Sequence, residues 1–318
     1  MVAHRLLNRI RPAVVGLAVA CAAAQPLRAE PSLWSQVRGS VLQTEDSDPV
    51  GRAEKALREA ERQHGPNHSD VAEALDILAS LYEADGRFED ATKALERALK
   101  IHEFNEGAGS PGAASMRHRL AMVSIMRDRP EEAERLLKQA LAMRLVELGD
   151  YHPDVANALD DLVVLYRATG RDAEVEPLLK RSVVIREWHK EQEPLAYGRA
   201  LNLLASYYVD QKRIDDAITA SEQALAVDET TLDADSAIVA TDLSNLAALY
   251  HAAGRSQAAK TMYRRAVEAW EASLEPDTPE VAATLEEYAK LLRDLGNIVQ
   301  AREAESRAAA IRSTARFQ

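Results

Sequence analysis

The sequence predicts an all-α chain, a right-handed α-solenoid of antiparallel helix hairpins, and three observations carry that prediction. The chain repeats itself with a fixed period, each copy places its apolar residues at helical spacing, and a glycine returns at one register of the period.

The period comes first, because a missed repeat misassigns the whole fold. Leu75-Asp76-Ile77-Leu78-Ala79-Ser80-Leu81-Tyr82 returns as Leu159 to Tyr166 and again as Leu243 to Tyr250, 84 residues apart each time. Further copies at Leu201 to Tyr208, around Leu120-Ala121, and from Leu285 to Leu292 fall halfway. The period is therefore 42 residues, held over six units without insertion or deletion.

Within a unit, Leu75, Leu78, Ala79 and Tyr82 follow i, i+3, i+4, i+7, one face of a first helix. Gly86, Gly170, Gly254 and Gly296 stand in register after it, where a left-handed C-terminal cap is easiest without a side chain. A second helix carries Ala91, Leu95 and Ala98, and its small residues recur as Ala133 and Ala140, Ala217 and Ala224, Ala259 and Ala266, Ala301 and Ala308. Such residues let helix axes approach closely, and no hairpin can bury both faces without its neighbours. Composition agrees: 47% of the 318 residues are hydrophobic but only 5% aromatic, as suits closely packed helices rather than a β-sandwich.

Departures from the pattern concentrate centrally. Arg117, Ser124 and Asp128 replace the leucine, tyrosine and glycine of the second unit, Val175 and Ser182 replace the alanines of the third, and Lys212 replaces the glycine of the fourth. These units are expected to be the softer part of the array. Pro130 and Pro177 are read as lying in first turns of second helices, where a missing N–H costs little.

On Gly86-Arg87-Phe88-Glu89-Asp90-Ala91, Tyr151-His152-Pro153-Asp154-Val155-Ala156 and the spaced leucine, tyrosine, glycine and alanine positions, the chain resembles the tetratricopeptide repeat, in its 42-residue kinesin-light-chain-like variety common in bacterial proteins. The resemblance covers Pro66 to Ser313. It implies a superhelix whose concave groove, lined by first helices, binds another protein or a peptide, and a non-catalytic scaffold as the function. The two positions after the leading leucine would point into that groove. They supply the candidate partner-binding residues Asp76, His118, Arg119, Asp160, Asp161, Asn202, Asn245, Glu286 and Glu287. Relatives of this type often place a ladder of asparagines there; only Asn202 and Asn245 keep it, and a lysine-and-asparagine clamp for an acidic terminus is missing. Carboxylates dominate both ends, with Arg119 and Arg199 between, so a basic or mixed-charge partner segment is expected. Arg117-His118-Arg119 reads as a basic spot on an acidic face.

Outside the six units, assigned to residues 66–314, the leader 30–65 carries a degenerate half-repeat, since Ala56-Leu57 registers with Ala98-Leu99 and Gly65 with Gly107. Pro31 to Val41 reads either as its short first helix or as a mobile leader. Ile311 to Gln318, ending in the tail 315–318, is too short for a separate capping helix, so the last apolar edge is expected to be covered by the final helix's own polar face or by another protomer.

Residues 1–29 read as a signal peptide: His4, Arg5, Arg9 and Arg11 precede an apolar run from Ala13 to Ala24, shorter than the ~20 residues a membrane span requires. Cleavage after Ala24 or Ala29 would export the chain, to the periplasm, with no transmembrane span. Cys21, the only cysteine, also sits in a loose lipobox; lipidation there would anchor a structural or self-assembling envelope subunit instead.

The net charge of −12 and the absence of a basic stripe exclude nucleic-acid binding. No phosphate-binding glycine loop, HExxH or CxxC occurs, so no enzyme activity and no cofactor are expected. His68 and His152 share one register but stand two units apart; they read as turn residues, and no metal site is assigned.

Overall fold

The computed structural model describes residues 48–233, 236–272 and 278–314. The signal segment with Cys21, the stretch Pro31 to Val41 and the tail 315–318 lie outside the described residues. Among the described residues there are thirteen helices and no strand: α1 (Pro49–His64), α2 (Ser69–Ala84), α3 (Phe88–Glu106), α4 (Pro111–Met126), α5 (Pro130–Leu148), α6 (Pro153–Thr169), α7 (Asp172–Trp188), α8 (Pro194–Asp210), α9 (Ile214–Thr231), α10 (Ala237–Ala252), α11 (Ser256–Ala272), α12 (Pro279–Asp294) and α13 (Ile298–Thr314). The chain divides into two compact units, one ending at Leu178 and one beginning at Leu179. None of these helices is long and apolar enough to cross a membrane.

In the N-terminal unit α1 packs on α2, α2 on α3, α3 on α4, α4 on α5 and α5 on α6. In the C-terminal unit the same succession runs from α8 to α13. The alanine pairs of the second helices explain how close these approaches are. Ala91, Ala98, Ala133, Ala140, Ala217, Ala224, Ala259, Ala266, Ala301 and Ala308 are all at most 1% exposed. The first helices contribute the larger side chains, with Leu75, Leu78, Leu159, Leu162, Leu201, Leu243, Leu246, Leu285 and Leu292 buried between hairpins.

Helix ends follow from local chemistry. Proline opens α1, α4, α5, α6, α8 and α12, where the N–H it lacks would have had no intrahelical acceptor. Ser110 Oγ accepts the amide of Ala113 at 3.2 Å, and His68 and His152 cap α2 and α6 by accepting from Asp70 N and Asp154 N through Nδ1. Both histidines thus hold the helix starts assigned to them as turn residues. Pro177 differs from its expected place: it is the sixth residue of α7, inside the helix, where it withholds an N–H from the carbonyl four residues earlier.

The turn between first and second helices keeps one backbone shape at every unit. Gly86, Gly170, Gly254 and Gly296 have φ between 72° and 76°, and Asp128 and Lys212 at the same register have φ 58° and 59°. The hairpin therefore imposes a left-handed residue even where no glycine is provided.

One device recurs around that turn. Arg87, Arg171 and Arg213, each directly after the left-handed residue, stack their guanidinium over Tyr82, Tyr166 and Tyr208 at 4.3, 4.3 and 4.4 Å. The tyrosine hydroxyls reach the preceding hairpin: Tyr82 donates to Glu54 on α1 at 3.0 Å, Tyr166 to Glu134 on α5 at 2.9 Å, and Tyr250 to Glu222 on α9. Glu134 also holds Lys138 and Arg171, and these cations with the Tyr166 hydroxyl lower its carboxyl to about 2.

Candidate functional site

The sequence nominates the first helices, and within each unit these lie one period apart and are joined by polar side chains. In the N-terminal unit Arg119 on α4 reaches back to α2: it donates to the Asp76 carbonyl at 2.9 Å, the Asp76 carboxylate, Ser80 Oγ at 3.0 Å and Glu83 at 2.5 Å. Its neighbour His118 turns the other way, with Nδ1 2.9 Å from Asp161 Oδ2 on α6, at ion-pair distance but off the line of a hydrogen bond. The two basic side chains of α4 are thus held between acids of α2 and α6. Arg117 completes the knot. It occupies the leucine position, is largely buried, and donates to Glu103 at 2.5 Å and to the Ala108 carbonyl at 3.2 Å. Arg117, His118 and Arg119 therefore do not form a solvated basic spot; each engages an acid of its own chain.

Asp160 and Asp161 are both only 9% exposed, so they are not the open carboxylates that a groove-lining position suggested. Asp76 is half-buried under Arg119. The reason is tertiary: the stripe after the leading leucine sits where adjacent first helices meet, and side chains there find partners one period away.

In the C-terminal unit, Asn202 on α8 donates to Asp242 Oδ1 on α10 at 2.9 Å, Ser244 on α10 lies 3.1 Å from Thr284 on α12, and His251 lies 3.0 Å from Asp294. Asn245 is exposed. Glu286 is gripped by Arg312 of α13 at 2.6 and 2.9 Å, which holds its carboxyl below the usual range, and exposed Glu287 pairs with Lys290 at 2.5 Å.

The most unusual group here is absent from the sequence-derived candidates. Asp228 of α9 and Asp242 of α10 are 2% and 5% exposed, and their carboxyls lie within hydrogen-bond reach of each other. Burial first, then the hydrogen bond and charge of Asp228, push the Asp242 carboxyl up to about 7; the Asn202 amide opposes this. Two ionised carboxylates cannot hydrogen-bond, so Asp228 Oδ1 and Asp242 Oδ2 lack a donor until the pair takes up a proton. Gly198 makes room: a Cβ there would stand 2.7 Å from Asp228 Oδ1. The signal was in the register. Gly198 stands where other units have Ala72, Ala114, Ala156, Ala240 and Ala282, and Asp242 where they have Ala74, Met116, Ala158, Ala200 and Thr284.

Comparison with known proteins bears on the fold. A tetratricopeptide repeat model matches residues 52–103, 112–187, 197–272 and 243–314. BtubC (BKLC) from P. vanneervenii is similar at 21% identity and a TM-score of 0.56, over 69% of this chain and 89% of that one. The apo form of RapI is similar at 14% identity and 0.53, over 90% and 96%. The C-terminal part of a repeat-containing protein from Cytophaga hutchinsonii is similar at 11% identity and 0.58, over 82% and 90%. At these identities the likeness is one of fold. No curated protein sequence matches the chain.

Proposed function

The chain belongs to the tetratricopeptide repeat family, and we propose that it is a non-catalytic scaffold that binds a partner protein or peptide across the exposed face of its first helices. Repeats of this family imply protein–protein interaction. The observation that carries the reading is the cross-linking of neighbouring first helices by their own side chains, α2–α4–α6 in one unit and α8–α10–α12 in the other. A surface held in this way is ordered before a partner arrives, so less conformational entropy is lost on binding. The acids Asp76, Glu83 and Glu286 already hold cations of the chain, which favours a mixed-charge partner segment over a purely basic one.

Photo-crosslinking amino acids at Ser80, Met126 and Asn245, with Lys93 and Gln139 on second helices as controls, test the reading in the native cells. Adducts confined to first-helix positions support it, and adducts mainly at the controls would sink it. Export belongs to the same proposal and rests on residues 1–29. A mature N-terminus at Gln25 or Glu30 supports that part, whereas a modified Cys21 as first residue would favour the tethered envelope subunit.

A further inference from the structure

We propose that His64, His68 and Asp70, at the corner between α1 and α2, form a binding site for a divalent transition-metal ion of the zinc class. The three donors come from different local structures. His64 is the last residue of α1, His68 is the N-cap of α2, and Asp70 lies in the first turn of α2. The loop between them is held by α3: Asn105 Nδ2 donates to the Asn67 carbonyl at 2.7 Å, Arg97 reaches the Pro66 carbonyl at 3.5 Å and pairs with Glu61 at 2.6 Å.

The donors converge on one point. His64 Nε2 lies 3.4 Å and His68 Nδ1 3.5 Å from the same oxygen, Asp70 Oδ2. The two imidazoles stack with centroids 4.7 Å apart, and all three donor atoms lie within 4.8 Å of one another. A tetrahedral ion with ligand bonds of 2.0–2.1 Å has donor–donor edges of about 3.4 Å. Two edges of the donor triangle have that length already, and the third is within 4.8 Å. Capping accounts for the His68 edge, as it does at His152 and Asp154, but no cap bond brings His64 Nε2 to Asp70, and that contact is longer than an ordinary hydrogen bond. Two imidazole nitrogens and a carboxylate oxygen form a donor set suited to zinc and its divalent neighbours. The side chains keep 39%, 44% and 28% of their exposure, which leaves an entry path and open positions for water. The two imidazoles line a hollow shared with Glu106, whose carboxylate His102 holds at 3.2 Å.

The chain contains its own control. One period-pair later His152 and Asp154 repeat the cap, with His152 Nδ1 3.1 Å from the Asp154 amide and 3.7 Å from Asp154 Oδ2, but Leu148 stands where His64 does. Capping α2 therefore does not need His64. Metal coordination would replace the 3.3 Å cap bond from the Asp70 amide and staple the end of α1 to the start of α2.

Zinc chloride is titrated calorimetrically into the purified chain carrying no histidine tag, and hydrogen exchange of α1 is followed with and without zinc. One-to-one binding with slowed exchange in α1 is expected. His64→Leu and His68→Ser copy Leu148 and Ser110 at the same registers and so preserve the fold; each should weaken zinc at least about tenfold through the loss of one of three ligands. His152→Ala should leave the affinity unchanged. Absence of saturable binding, unaltered affinity in both site variants with far-ultraviolet circular dichroism intact, or an equal loss in His152→Ala would each overturn the assignment.

Discussion

Replacing Asp242 by asparagine should stabilise the C-terminal unit at neutral and alkaline pH and leave it nearly unchanged in acid. In the fold Asp242 binds its proton more tightly than in the unfolded chain, its carboxyl being pushed from 3.8 to about 7 by burial beside Asp228. The sign follows from linkage. A raised carboxyl gives stability that is fully present below 3.8 and is lost progressively as pH rises to about 7. At ~1.4 kcal/mol per pH unit the loss is on the order of 4 kcal/mol. An asparagine at 242 can still accept from Asn202 through its oxygen and donate to Asp228 through its amide, so no buried group is orphaned. The assay is urea unfolding of both proteins at about pH 4, 6 and 8, with hydrogen exchange of α8, α9 and α10, because repeat arrays need not unfold in one step. The difference between variant and parent should grow from near zero at the acid end to a plateau above pH 7. A pH-independent difference, or a destabilised variant at pH 8, would refute the shared-proton account.

Lys212→Gly should stabilise by about 1 kcal/mol, and Asp128→Gly by less because aspartate tolerates the left-handed region better; thermal unfolding of each against the parent reads this. Gly198→Ala should cost about 1–3 kcal/mol, since its Cβ would meet Asp228 Oδ1 at 2.7 Å, and Gly198→Ala combined with Asp228→Ala should recover part of that loss. Glu134→Gln should destabilise by about 1–2 kcal/mol at pH 7, where the ionised carboxylate holds Lys138, Arg171 and Tyr166. That effect should disappear as pH falls from 4.5 towards 2, the window of a lowered carboxyl, and denaturant midpoints across acid pH follow it. Tyr263→Phe should be neutral or stabilising, because this 1% exposed side chain has a hydroxyl without a hydrogen-bond partner among the described residues; calorimetric melting decides.

The helices and their faces were legible from residues alone because they depend on local and periodic chemistry. Leucine and alanine at helical spacing mark the buried stripe, and proline, serine and histidine mark helix starts. Even the strain at Lys212 follows from register, since a position that is glycine in four units signals a left-handed turn wherever it recurs. Pro177 was misplaced by a few residues because helix starts are set by turn geometry that a periodic pattern locates only coarsely.

The candidate site was legible only as a set of positions. Asp76, His118, Arg119, Asp160 and Asp161 were identified as a stripe, but whether that stripe is open depends on side chains about one period away. Only packing of first helix on first helix brings Arg119 to Asp76 and Glu83, or His118 to Asp161. The same holds for Asp228 with Asp242 and for His64 with His68: a carboxylate's proton affinity and a histidine's capacity to ligate are set by neighbours within a few ångströms, whatever their separation in sequence. The sequence by itself determined the repeat, its helices and its left-handed turns, because those arise from interactions along the chain. Tertiary structure alone decided which charges are spent within the protein and which remain for a partner, because Coulomb and desolvation energies depend on distance through space.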